Sequence, residues 1–186
     1  MTDWRPRRLV TGDDGRGRSF AVLDGVSTGH FVFPEARFDV VWRVNEQPPR
    51  VGNSVEPDNL SRYWMRPPPG MTTWVVHEVS PEGSAAGPDS ASPQAVESSL
   101  QRFDDGGVYE GEGRGWHRTN TLDFVIVLEG QIDLELDDGV HRLGPGDCVV
   151  QTGTRHRWVN RGDKPCRISG VVIGARNQEV TEAKED

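Results

Sequence analysis

The run GWHRTNTLDF (115–124) sets His117, Thr119, Thr121 and Asp123 at every second position. Side chains two apart along an extended strand point the same way, so these four polar groups share one face. On a core face they need partners or a ligand, because burying an unpaired polar group costs free energy. A second run, RHRWVN (155–160), places His156, Trp158 and Asn160 on one face by the same period. If both strands line one cavity, two imidazoles, a carboxylate, hydroxyls and an amide converge there. Two His plus one carboxylate is a ligand set suited to Fe(II), Mn(II), Ni(II) or Zn(II), and it leaves positions open for water or substrate.

The elements that must position these groups are short strands. FVIVLEG, QIDLELDDG, VHRLGPGD, CVVQTG, HRWVNRGDKP and CRISGVVIG follow one another with turn residues at close spacing, a sandwich or barrel pattern. QIDLELD alternates Ile132, Leu134 and Leu136 against Asp133, Glu135 and Asp137, predicting one buried and one solvated face. Residues 1–80 also read as short strands (RSFAVLDG, HFVFPEARFDVVWRV, TTWVVHEVS), with a polar, Pro-broken excursion over 45–64. Residues 81–114 change character. A small-residue loop leads into SPQAVESSLQRF, where Ser92, Pro93 and the stripe Val96, Leu100, Phe103 predict a short helix, and a glycine-rich stretch follows. This insertion reads either as a lid over the cavity or as a segment packed on the sheet. The tail 176–186 is polar and acidic and is expected to be disordered.

Composition narrows the function classes. The 186 residues fit one domain that can bury its own core. Lys plus Arg number 21 against 29 Asp plus Glu, a formal charge of −8, which argues against nucleic acid or an anionic membrane as partner. No signal-peptide or membrane-spanning stretch is present in the sequence, so a soluble, cytoplasmic protein is expected. Cys148 and Cys166 fall in apolar runs and read as small buried hydrophobes. No phosphate-binding loop, G-x-S-x-G elbow or convincing Cys nucleophile exists. Of the other histidines, His77 in WVVHEV either lines the cavity or, as the favoured reading, takes an edge or surface place, His141 reads as exposed, and His30 shows no partner in sequence.

GWHRTNTLDFVIVLEG followed by PGDCVVQTGTRHRWVN resembles the two sequence motifs of the small cupins. His117 matches the first histidine of the first motif, Asp123 its Glu and Gly130 its closing Gly. Gly146, His156 and Asn160 match the second motif. The resemblance covers roughly residues 110–175. It implies an all-β fold, a cupin jelly-roll β-barrel over 115–175, with the strands of 1–80 extending or covering it and a short helix in the insertion 81–114. There are departures: the second histidine is Thr119, the Glu is the shorter Asp123, and QTGTRH lacks the Pro before the final His. Cupin barrels commonly pair, so a homodimer is expected.

Cupins host many activities, and three readings of the site follow. In the first, His117, Asp123 and His156 hold a divalent ion (Fe, Mn, Ni or Zn) that polarises a substrate oxygen. In the second there is no metal, and His156, His117 and Asp123 do acid–base catalysis. Thr119, Thr121, Trp158 and Asn160 would bind substrate in either case, with Asn160 and Thr119 on the developing oxyanion. Both point to a lyase, isomerase or cyclase acting on a keto, hydroxy or aromatic-acid-like metabolite, or to an Fe(II) dioxygenase. The third reading is a non-catalytic small-molecule binder. Arg114, Arg118, Arg155 and Arg157 cluster around the motif strands, either as plain solvated charge or with one of them orienting a substrate carboxylate at the barrel mouth.

Overall fold

The computed structural model describes residues 4–33, 36–51, 60–83, 103–104 and 115–176. Among these residues the regular structure is all β. The first seven strands in chain order are β1 (Arg7–Asp13), β2 (Ser19–Val26), β3 (Gly29–Val32), β4 (Ala36–Val44), β5 (Tyr63–Trp64), β6 (Thr72–Val79) and β7 (Phe103–Asp104). There follow β8 (Thr121–Glu129), β9 (Ile132–Leu136), β10 (Gly139–Leu143), β11 (Cys148–Gln151), β12 (Arg157–Val159) and β13 (Cys166–Gly174). The main sheet runs β11-β8-β13-β6-β4-β3, a second sheet runs β10-β9-β12, and β1-β2 and β5-β7 form two-stranded pieces. This is an all-β, jelly-roll arrangement. Strands from residues 29–79 supply half of the main sheet.

The Val- and Ile-rich runs of β8 and β13 are adjacent interior strands of this sheet, pairing antiparallel from Arg167–Glu129 to Gly174–Thr121. Along β8 the residues Thr121 and Val127 are buried while Phe124, Ile126 and Leu128 are exposed, so the odd-numbered side chains point inward. Gly130 ends this strand with φ of 81°, and a Cβ there would stand 3.0 Å from both the Cys166 Cα and the Pro165 carbonyl oxygen. Only glycine fits that conformation and that approach. The Gly144–Asp147 run is a turn, closed by Asp147 N–H to the Gly144 carbonyl (3.0 Å) and Gly144 N–H to the Asp147 carboxylate (2.8 Å).

Two apolar clusters flank the interior. Phe31, Val40, Leu60, Tyr63, Val75 and Val172 form one. Val127, Ile132, Cys166 and Ile168 form the other.

Four expectations need correction or fall elsewhere. Asp133 is not solvated: it is 3% exposed, because Arg142 from the neighbouring strand (3.0 Å) and Arg161 (2.9 Å) close over its carboxylate. Cys166 is buried, but Cys148 is exposed, since it sits on the edge strand β11 opposite Ile126. The predicted helix and lid lie outside the described residues, apart from Phe103, which pairs with Tyr63 as a strand residue. The tail beyond 176 also lies outside them.

Candidate active site

Two chain segments meet to build the site. His117 and His156 form an isolated antiparallel bridge, each N–H donating to the other's carbonyl at 3.0 Å. Their rings are thereby brought to 4.3 Å between centroids. Gly153, at φ of 71°, lets the chain pass close to the Thr119 carbonyl on the way to His156 (a Cβ would meet that oxygen at 2.9 Å). The two imidazoles border a cavity of about 240 Å³ between the sheets. Thr119, Asp123 and Trp158 line it too, among Phe38, Tyr63, Met65, Val75, Val125 and Ile168.

The hydrogen bonds fix how each imidazole is presented. The Nδ1 of His117 stands 2.8 Å from the Gly115 carbonyl, and that of His156 stands 2.9 Å from the Thr154 carbonyl. A carbonyl only accepts, so each Nδ1 carries the proton and each Nε2 keeps a lone pair. Backbone carbonyls thus orient both rings, and Asp123 is not needed for that. The Asp123 carboxylate is buried with Oδ1 lacking any hydrogen-bond partner among the described residues. Burial pushes its carboxyl up to about 6, with the Thr121 hydroxyl opposing. Thr121 in turn donates to Thr119 at 2.7 Å. Burial holds the imidazoles neutral: His156 falls to about 4, helped by the neighbouring His117. His117 is also lowered by burial, against the pull of the Gly115 carbonyl and with a further lowering from Arg66.

The set therefore has the donor chemistry of a divalent-ion site: two Nε2 lone pairs and an unsatisfied carboxylate oxygen. Among the described residues, however, no three His, Cys, Asp or Glu side chains stand close enough to form a ready-made cage.

Not every expected residue joins the cavity. Thr121 is buried behind Thr119 and does not line it. Asn160 is 1% exposed and lies outside it, its amide donating to the Val79 (2.9 Å) and Lys164 (2.8 Å) carbonyls while its oxygen accepts from Gly162 N–H (2.9 Å). It clamps a loop, because β12 ends at Val159 and the alternation ends with it. Arg155 stacks over Trp116 at 4.1 Å and pairs with Asp137, while Arg157 pairs with Glu82 and Glu135. Neither is at hand for a substrate carboxylate. Arg114 lies outside the described residues.

His77 takes the less favoured of its two expected places. It lines the cavity, with Nε2 3.3 Å from the Tyr63 hydroxyl and its ring 4.4 Å from that of Phe38. Burial, with His117 adding to it, pushes its pKa down to about 3. The alternation Val75, His77, Val79 along β6 was the signal. His30 pairs with Asp39 (3.0 Å), and His141 lies at the surface beside Asp138.

Residues 106–174 match the cupin domain family. Phomopsin biosynthesis cluster protein C' of Diaporthe leptostromiformis is 25% identical over 91% of this chain and 85% of its own length. The cupin-domain-containing oxidoreductase fogC of Aspergillus ruber is 26% identical over 95% of this chain and 76% of its own. Oryzines biosynthesis cluster protein J of Aspergillus oryzae reaches 52% identity over 35% of this chain and 44% of its own. Among solved structures, the polyketide cyclase RemF of Streptomyces resistomycificus aligns with a TM-score of 0.42 and 19% identity, covering 84% of this chain and 78% of that one.

Proposed function

We propose that the chain is a small-molecule enzyme of the lyase, isomerase or cyclase kind. Its substrate would be a keto, hydroxy or aromatic-acid-like metabolite, changed by dehydration, decarboxylation or enolisation. The observation that carries this reading is the unpartnered Asp123 oxygen in the cavity that His117 and His156 border. A carboxyl group poised near 6 can take a proton from carbon or hydroxyl near neutral pH and return it. Without a metal, His156 Nε2, held as a lone-pair acceptor, is the second proton-transfer group. Trp158 and the apolar wall would hold the substrate's ring and keep water away. In the alternative form of the site, a divalent ion (Fe, Mn, Ni or Zn) would take these lone pairs instead, held by His117, His156 and Asp123, and would supply Lewis-acid polarisation of a substrate oxygen.

An Fe(II) dioxygenase using the same residues is the second reading, favoured by the likeness to a cupin-domain-containing oxidoreductase. Two measurements test the pair. Metal content of untagged protein, beside His156→Ala, identifies any ion and its dependence on that imidazole. Proton NMR in D₂O then follows exchange at the acidic carbon of 2-tetralone, an apolar ketone. Exchange above the buffer rate, lost in Asp123→Asn and His156→Gln, supports enolisation chemistry. Exchange at the buffer rate, with stoichiometric iron and oxygen uptake, supports the dioxygenase instead.

The working unit would be a homodimer. Val150, Phe124, Val171 and Trp74 are register partners across four strands of the main sheet, and three of them are exposed on its outer face. A strand apolar on both faces, as β8 is, belongs to a sheet covered on both sides. A two-fold axis lets a second copy cover that row with the same row. Light scattering should give twice the chain mass, falling to one in Phe124→Glu; a wild-type monomer would defeat this part of the proposal.

A further inference from the structure

We propose that Tyr63 and His77 form a second polar subsite of this cavity, one that takes the uncharged carbonyl or phenol oxygen of an apolar, ring-bearing ligand. The placement of His77 calls for an explanation. Its register partners are Phe38 on β4 and Ile168 on β13, and Val75 and Val79 lie beside it on its own strand. An imidazole in an apolar row is costly unless its polar atoms are used. Nε2 faces the Tyr63 hydroxyl, and Nδ1 makes no hydrogen bond among the described residues. Tyr63 is 2% exposed and packs its ring against Phe31 (5.8 Å) and Phe38 (5.1 Å). A phenylalanine would fill that space equally well, so it is the hydroxyl that connects the aromatic cluster to the cavity.

The 3.3 Å contact lies beyond the ordinary range for a hydroxyl donor. A ligand oxygen can therefore displace or share it at small cost. With Tyr63 donating to Nε2, the His77 proton sits on Nδ1 as the free donor; with Nε2–H donating to the Tyr63 oxygen, the phenol O–H is the free donor, so in either tautomer the pair has one donor to offer. That donor is neutral. Among the described residues the cavity lining holds no Lys or Arg, while it does hold the Asp123 carboxylate. An anionic ligand would bring an uncompensated charge into this lining, whereas a neutral oxygen needs only a donor. Phe38, Met65 and Trp158 supply the surface for a ring. The subsite deepens the enzymatic reading and narrows its substrate to the uncharged members of that class. It depends on that reading only for what happens to the ligand after binding.

The test is calorimetric titration of the full chain with 2-naphthol, naphthalene and 2-naphthoate, using wild type, Tyr63→Phe and His156→Ala. Wild type should bind 2-naphthol at least tenfold more tightly than either of the others. Tyr63→Phe should bring 2-naphthol down to the affinity of naphthalene without changing naphthalene itself. His156→Ala should keep the preference. Equal binding of 2-naphthol and naphthalene by wild type, a preference for 2-naphthoate, or a preference that survives Tyr63→Phe would each overturn the subsite. If Tyr63→Phe fails to fold, nitrogen-15 NMR of wild type decides: the His77 ring resonances should move when 2-naphthol is added, and unmoved resonances overturn the proposal. Failure of 2-tetralone exchange with the naphthol preference intact would strike the catalytic reading alone.

Discussion

His117 and His156 are joined through their backbones, with a 3.0 Å hydrogen bond in each direction, and their rings meet 4.3 Å apart as a consequence. The main chain, not the imidazoles, holds the two segments together. His117→Ala and His156→Ala should therefore fold, each losing about 1 kcal/mol for one hydrogen bond to a carbonyl. Their effect should fall on the site. Cobalt(II) titrated into wild type should give a visible absorption band that either substitution weakens at least tenfold, while circular dichroism melts change little. Unfolding of either variant would mean that the rings themselves brace the bridge.

The neutral imidazoles make stability depend on pH, and the sign can be worked out. His156, at about 4, and His77, at about 3, lie below the ordinary value of 6.5. Between those limits the unfolded chain binds more protons than the folded one, so stability is full above pH 6.5 and is lost as pH falls. Asp123, raised to about 6 from 3.8, acts the other way: its contribution is present below 3.8 and is lost as pH rises through 6. With His117 also lowered, three imidazoles oppose one carboxyl. The urea midpoint should fall from pH 6.5 to pH 4.5, and more steeply in Asp123→Asn. A midpoint that stays level or rises on acidification would show that the imidazoles are not held neutral.

The sequence made much of this legible, for identifiable reasons. Period-two spacing brought His117, Thr119, Asp123, His156 and Trp158 to one cavity, because strands and near-extended approaches keep that alternation. It failed at Asn160, where β12 has already ended and the chain has turned. His77 and Tyr63 were hidden for another reason. Each reaches the cavity through long-range packing, His77 by pairing with Ile168 and Tyr63 through an irregular, Pro-rich stretch. The alternation of β6 showed that Val75, His77 and Val79 share a face, but not which way that face turns. In β9, alternation marked Asp133 as outward, and outward it is; what spacing could not show was the arginines that cover it.

That cover gives an expectation of its own. The Asp133 carboxylate accepts from Arg142 Nε at 3.0 Å and Arg161 Nη1 at 2.9 Å, and the two guanidinium groups hold it below its usual range. Arg161 also reaches Glu135, which Arg157 pairs at 3.2 Å. Charge-assisted bonds of this kind contribute roughly 1–2 kcal/mol once the exposure of the arginines is discounted. Asp133→Asn should lower unfolding free energy by about that amount at pH 7 in low salt, and by less in 1 M NaCl, where exposed pairs are screened. Equal losses at both ionic strengths would assign the effect to packing.

Asn160 offers the sharpest contrast between a binding role and a clamping role. Its three hydrogen bonds all go to backbone groups, at Val79, Lys164 and Gly162. The first of these ties the end of β6 to the loop leading into β13. Truncation to alanine removes three part-buried hydrogen bonds, to two carbonyls and one N–H, each worth about 1 kcal/mol. Asn160→Ala should therefore lose about 2–3 kcal/mol in urea unfolding. The folded variant should still bind 2-naphthol with wild-type affinity, since none of these bonds faces the cavity. Weakened binding with undiminished stability would return Asn160 to the site that its spacing suggested.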